Sequence, residues 1–201
     1  MKNGDLLLSD CAAEYHGYTA DVTRTVPVNG KFSPEQKIIY ELVLAAQDSA
    51  IAVCKPGMPY SGSDATARRV INRGLIALGI AANDMEARRY FPHGTSHHLG
   101  LDVHDLGIRG NMPFEPGMYL TVEPGIYIPP GSKCDPKWWS IGVRIEDDIL
   151  ITKEGNRNLS AGAPRTVAEI EKLAKAKTIF NQINRLDDFS FGHFVTSFHI
   201  C

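Results

Sequence analysis

The sequence has no apolar run long enough to cross a bilayer, and Leu6-Leu7-Leu8, near its start, is too short for the core of a signal peptide. A cytoplasmic protein is therefore expected, with no membrane as partner. Clustered positive charge is also missing. The 21 Lys and Arg residues are scattered along the chain against 23 Asp and Glu, a formal net charge of −2, so the electrostatic footprint of a nucleic-acid binder is absent. Cys11, Cys54, Cys134 and Cys201 form no CxxC pair and no regular framework, which excludes a zinc knuckle or a disulfide scaffold and leaves reduced thiols. Low-complexity tracts and repeats of solenoid length are lacking too. What remains is a chain of 201 residues, 43% hydrophobic, with core enough for one soluble α/β or α+β domain.

Local signals place the elements. Leu6 to Tyr15 and Tyr18 to Val28 read as the strands of a hairpin turning near His16-Gly17. Ser33-Pro34-Glu35-Gln36 combines an N-cap serine, a proline at the first helical position and a capping-box glutamine. It predicts a helix to Val53, stopped by Lys55-Pro56-Gly57. A second helix is expected from Ser63 or Asp64 to about Leu78, with Gly79 as its C-cap. Thr166-Val167-Ala168-Glu169 is another capping box, predicting a helix to about Asn184. The glycine- and proline-rich stretch between the second and third helices reads as strands joined by long loops, and Leu186 to Cys201 has no legible period.

Four places can carry chemistry. In a hairpin with an even-numbered loop, positions whose numbers sum to an odd value share a face, so Asp10 and Asp21 project together, roughly 5 to 8 Å apart. Carboxylates that close require a cation, a proton or solvent between them. His93-Gly94-Thr95-Ser96-His97-His98 continues to His104-Asp105 and gathers four of the seven histidines. Tyr119 to Gly125 is an apolar strand ending in Glu123 at a Pro-Gly turn. In Gly142 to Asp148, period-two alternation sets Arg144 and Glu146 on one face. Singly, the histidine segment is as well explained by incidental clustering, and the other three are better explained by ordinary turn or surface chemistry. Together, Asp, Asp, His, Glu and Glu form a ligand set for two divalent cations, four carboxylates balancing two M²⁺ ions. The oxygen-rich donors favour Mn²⁺, with Co²⁺ or Zn²⁺ as substitutes.

These segments resemble the Xaa-Pro aminopeptidases, the aminopeptidase P branch of metallopeptidase family M24, which also holds prolidase and methionine aminopeptidase. The likeness runs from about Gly4 to Pro164, through Glu14-Tyr15-His16-Gly17-Tyr18, Asp21-Val22-Thr23-Arg24-Thr25, His93-Gly94-Thr95-Ser96-His97, Val122-Glu123-Pro124-Gly125 and Val143-Arg144-Ile145-Glu146-Asp147. It implies the pita-bread α/β fold, a curved and mainly antiparallel sheet flanked by helices. It further implies metal ligands at Asp10, Asp21, His97, Glu123 and Glu146, and catalytic roles for His93, His104, Glu123 and Arg144. The reaction implied is hydrolysis of the bond before proline by hydroxide activated between two metal ions, Glu123 passing the proton to the leaving nitrogen. The partners are then peptides with proline in second position, and a homo-oligomer is compatible with the family. The likeness starts inside the family's catalytic domain. On this reading residues 1–185 form a partial, N-terminally truncated domain with apolar faces left exposed, and 186–201 a separate tail. The alternatives are a prolidase, a creatinase-like hydrolase, a catalytically dead binding module, or a truncated, inactive metal-binding fragment.

Overall fold

The computed structural model describes residues 1–107 and 110–176. The chain opens with β1 (Leu6–Cys11), β2 (Glu14–Tyr15), β3 (Tyr18–Thr19) and β4 (Val22–Pro27). These form one long hairpin, because β1 with β4 and β2 with β3 keep the same register, Asp10 opposite Thr23 and Glu14 opposite Thr19. His16 and Gly17 both have positive φ, 53° and 85°, as a two-residue type I′ turn requires. The Glu14 carboxylate accepts the Gly17 N–H at 2.6 Å and closes it. The expected turn and strand pairing are thus both present.

Helix α1 (Pro34–Val53) starts in the predicted capping box, with the Ser33 and Gln36 side chains each bonded to the other's backbone N–H. It buries Ile39, Tyr40, Val43, Ala46 and Ala50, a stripe at helical spacing. Fully burying a side chain such as Ile39 or Val43 contributes about 1.5–3 kcal/mol. Helix α2 (Ser61–Ala77) packs on α1, and Gly74 permits the close approach, since a Cβ there would overlap Leu42. The start of α2 differs from expectation: it lies at Ser61, with no side-chain cap. The Tyr60 and Ser61 N–H groups instead donate to the Met112 and Gly110 carbonyls at 2.8 Å, so a distant loop replaces the missing cap. At the other end Gly79 closes a Schellman motif as expected, its N–H and that of Ile80 reaching the carbonyls of Ile76 and Leu75.

A short α3 (Asp84–Ala87), capped by the Asn83 side chain and run on by a 3₁₀ turn to Tyr90, lies where only strands and loops were expected. Strands β5 (Tyr119–Val122), β6 (Gly125–Ile128), β7 (Ile141–Arg144), β8 (Asp147–Ile151) and β9 (Asn156–Asn158) follow, and every pairing is antiparallel. Residues 95–99 run beside β5, with the Glu123, Thr121 and Leu99 N–H groups reaching the carbonyls of Thr95, His97 and Tyr119. Thr25 bonds both backbone groups of Arg144, tying β4 to β7. Helix α1 lies against β5, β6 and β7, so one core joins helices and strands. Helix α4 (Val167–Ala174) starts in the predicted Thr166 box and closes at Lys175, and the remainder of the expected helix, 177–184, lies outside the described residues. Lys175 and Ala176 bond carbonyls three residues back, tightening its last turn. The expected tail at 186–201 lies outside the described residues. Leu7, Val28, Tyr15 and Tyr18 stand exposed on the hairpin, as expected.

Candidate metal centre

All eight residues singled out in the sequence gather at one place. Asp10 lies in β1 and Asp21 just before β4; His97 comes from the strand-like run beside β5; Glu123 follows β5, and Glu146 sits between β7 and β8. One ligand atom each from Asp21, His97 and Glu146 all lie within 4.8 Å of one another, and the three residues are at most 9% exposed. His97 Nε2 is 3.4 Å from Asp21, 3.5 Å from Glu123 and 3.9 Å from Glu146. Its Nδ1 sits 3.1 Å from the His98 carbonyl, which fixes the proton there and turns Nε2 toward the carboxylates. The odd-sum register expected for Asp10 and Asp21 holds, and places them diagonally across the hairpin.

Asp10 joins the group through Thr23, whose hydroxyl lies 3.0 Å from Asp10 and 2.6 Å from Glu146 Oε2. Thr23 was missed in the sequence, although period two from Asp21 puts it on the same face. Arg144 and Glu146 share a face as predicted, but Arg144 pairs with Asp10 at 2.6 Å rather than with Glu146. It also donates to Thr23 at 3.2 Å and to the Tyr127 hydroxyl at 3.1 Å. Tyr127, for which the sequence held no local signal, meets His93 Nε2 at 2.8 Å. His93 Nδ1 lies 2.8 Å from the Gly94 carbonyl and 3.9 Å from Glu123. The exposed His104 sets its ring edge-on to His97, centroids 4.5 Å apart, and makes no hydrogen bond among the described residues.

Two further carboxylates support this group from behind. Asp148 receives the Asp21 N–H on both oxygens at 3.3 Å and the Tyr119 hydroxyl at 2.9 Å. Asp64, on α2, accepts the backbone N–H and hydroxyl of Thr95 and pairs with Arg68, which in turn holds the Phe91 and His93 carbonyls. The loop carrying His93 and His97 is thereby pinned to a helix.

The electrostatics describe a site made for positive charge. Burial, then the charges of Glu123 and Asp21, push the Glu146 carboxyl up to about 9. Burial pushes Glu123 up to about 7, although His97 and Arg144 pull against it. Burial lowers His97, but its hydrogen bonds to Asp21 and His98 and the neighbouring charge of Glu123 outweigh this and raise it. Oε1 of Glu146 is buried with no hydrogen bond among the described residues. A buried carboxylate oxygen left open, beside an imidazole nitrogen and three more carboxylates, is a donor set that fits divalent cations.

Comparison with known proteins decides the family. The model of metallopeptidase family M24 matches residues 1–153. The chain belongs to this family. It is 44% identical over 186 residues to the Xaa-Pro aminopeptidase of Escherichia coli, covering 88% of this chain and 42% of that protein. The solved structure of E. coli aminopeptidase P with the inhibitor Pro-Leu superposes with a TM-score of 0.83 at 44% identity, over 87% of this chain and 42% of that one. Proline aminopeptidase P II from Yersinia pestis gives 0.82 at 44%, with the same coverage. The fold of this M24 chain is the pita-bread fold, and the chain spans about two fifths of the length of these relatives.

Proposed function

We propose that this M24 chain supplies the metal-binding catalytic part of a cytoplasmic aminopeptidase that releases an N-terminal residue preceding proline. The observation that carries the reading is the meeting of Asp21, His97 and Glu146 within 4.8 Å, with Glu123 beside the same imidazole nitrogen. The preference for proline rests on the Xaa-Pro aminopeptidases and aminopeptidase P structures it resembles. Asp10, Asp21, His97, Glu123 and Glu146 would hold two divalent cations, Mn²⁺ being the best match to four carboxylates and one imidazole. Such a pair, when bound, supplies Lewis acidity and lowers the proton affinity of water at the site.

The side chains divide the remaining work. Glu123, 3.5 Å from the His97 imidazole nitrogen and at the edge of the carboxylate group, would pass the proton of the attacking water to the leaving imino nitrogen. His104, its ring nitrogens uncommitted, donates to the scissile carbonyl oxygen as negative charge develops there. His93 has both nitrogens engaged, by Gly94 and Tyr127, so it orients Tyr127, Arg144 and Asp10 instead of meeting the carbonyl. Arg144 holds Asp10 in place through their ion pair at 2.6 Å.

The test is Mn²⁺-dependent release of the first residue from a tripeptide with proline second, beside its alanine counterpart. Turnover of the proline peptide alone, lost in Asp21→Asn and Glu146→Gln, is the expected result. Tight Mn²⁺ binding without turnover would overturn the catalytic reading for this chain, and cleavage confined to Xaa-Pro dipeptides would make it a prolidase.

A further inference from the structure

The basic residues are scattered along the sequence, yet the fold collects four of them. Arg68, Arg69, Asn72 and Arg73 recur on one face of α2. The turn at Gly79 brings α3 and Arg88 across from them, enclosing a groove of about 520 Å³. Arg68 is committed to Asp64 and to the carbonyls of Phe91 and His93. Arg69, Arg73 and Arg88 are exposed, and none has a carboxylate within ion-pairing distance among the described residues. Asp84, the other carboxylate lining the groove, leaves an excess of positive charge.

A second observation is independent of charge. Asn72 is only 9% exposed and lines the groove, and its carboxamide makes no hydrogen bond among the described residues. Its amide is absent from the fully buried, unpartnered polar atoms of the described residues, so the carboxamide opens onto the groove, where its N–H groups are free to donate to a ligand. Guanidinium forks match phosphoryl oxygens two by two. The groove has the size of a small-molecule site and is far larger than one phosphate requires.

We propose that the α2–α3 groove binds a small molecule bearing two or more linked phosphoryl groups, held by Arg69, Arg73 and Arg88 around the Asn72 amide. The site is separate from the carboxylate centre, and its test needs no turnover. The full chain, free of divalent ions and at fixed ionic strength, is titrated calorimetrically with inorganic pyrophosphate and with ADP. Saturable one-to-one binding is expected. It should weaken roughly tenfold or more in Arg69→Ala/Arg73→Ala, several-fold in Asn72→Ala, and not at all in Arg157→Ala on β9. Binding of ADP as tight as pyrophosphate supports a nucleotide as the source, and binding of pyrophosphate alone supports a free polyphosphate. Absence of saturable binding to either, or binding that the double arginine variant retains with its fold intact by circular dichroism, overturns the proposal.

Discussion

The Thr23 hydroxyl lies 2.6 Å from Glu146 Oε2, while Oε1 of the same carboxylate makes no hydrogen bond among the described residues. One oxygen of the most buried carboxyl in the cluster is thus fixed by the protein and the other is presented to its neighbours. The fixing residue stands 123 positions away in the chain, on the opposite side of the hairpin-to-sheet junction. Orientation of the centre therefore depends on β4 and β7 keeping their register, which the paired bonds of Thr25 with Arg144 enforce.

Thr23→Val keeps the shape of the side chain and removes the hydroxyl. Asp10 and Glu146 each lose a hydrogen-bond partner, and Arg144 loses an acceptor. We expect Mn²⁺ affinity to fall roughly tenfold to a hundredfold, the usual cost of removing a group that orients a ligand. A calorimetric Mn²⁺ titration of the variant checks this, and unchanged affinity would show that Thr23 does not position Glu146.

Much of this arrangement was legible because its signals are local. The hairpin register followed from the His16-Gly17 turn and strand alternation, and the two capping boxes marked the starts of α1 and α4. The site residues stood out only as a set, four carboxylates and an imidazole at strand ends and turns, and through their likeness to the M24 motifs. What was missed is supplied by residues distant in sequence. The start of α2 is satisfied by carbonyls of Gly110 and Met112, which no feature near Ser61 announces. Tyr127 reads as an ordinary strand aromatic until the fold sets it between His93 and Arg144. The arginine groove needs the turn at Gly79 to oppose Arg88 to α2. Asn83 did carry a local signal for α3, an asparagine three residues before Glu86, but the helix it starts is a single turn, too short to show a period.

Glu146→Gln should abolish metal binding and yet stabilise the metal-free chain. The carboxyl is 1% exposed and its proton is held up to about 9 by burial and by the charges of Glu123 and Asp21, so ionising it in the folded state is unfavourable. A neutral amide of the same shape removes that cost. Thermal melts at pH 8.5 in a chelator should show a higher Tm for the variant than for the parent, and excess Mn²⁺ should raise the Tm of the parent alone. A variant that still gains stability from Mn²⁺ would remove Glu146 from the ligand set.

His104→Ala tests the division of labour proposed for the histidines. Its ring touches His97 but bonds nothing among the described residues, so metal affinity and fold should be retained. If the donor to the developing oxyanion is lost, kcat should fall roughly a hundredfold or more with KM little changed. Equal loss of Mn²⁺ binding would instead make His104 a ligand.

Stability of the metal-free chain should fall as pH rises, and bound metal should reverse the trend. Glu146 is held up to about 9 and Glu123 up to about 7, against an unfolded carboxylate value near 4.5. Above that value the unfolded chain has released both protons while the folded chain retains them. The retained protons cost stability at up to about 1.4 kcal/mol per pH unit each, until the folded groups ionise in turn. His97, raised above 6.5, acts in the same direction, because the stability it contributes when charged is lost as pH climbs through its folded value. Divalent cations displace these protons on binding, so their affinity grows over the same range. Chemical denaturation at pH 6 and pH 8.5 should give a lower unfolding free energy at pH 8.5 in chelator, and a larger Mn²⁺-induced gain there than at pH 6. A metal-free chain equally stable at both values would mean that Glu123 and Glu146 are not held together in the folded protein as this geometry requires.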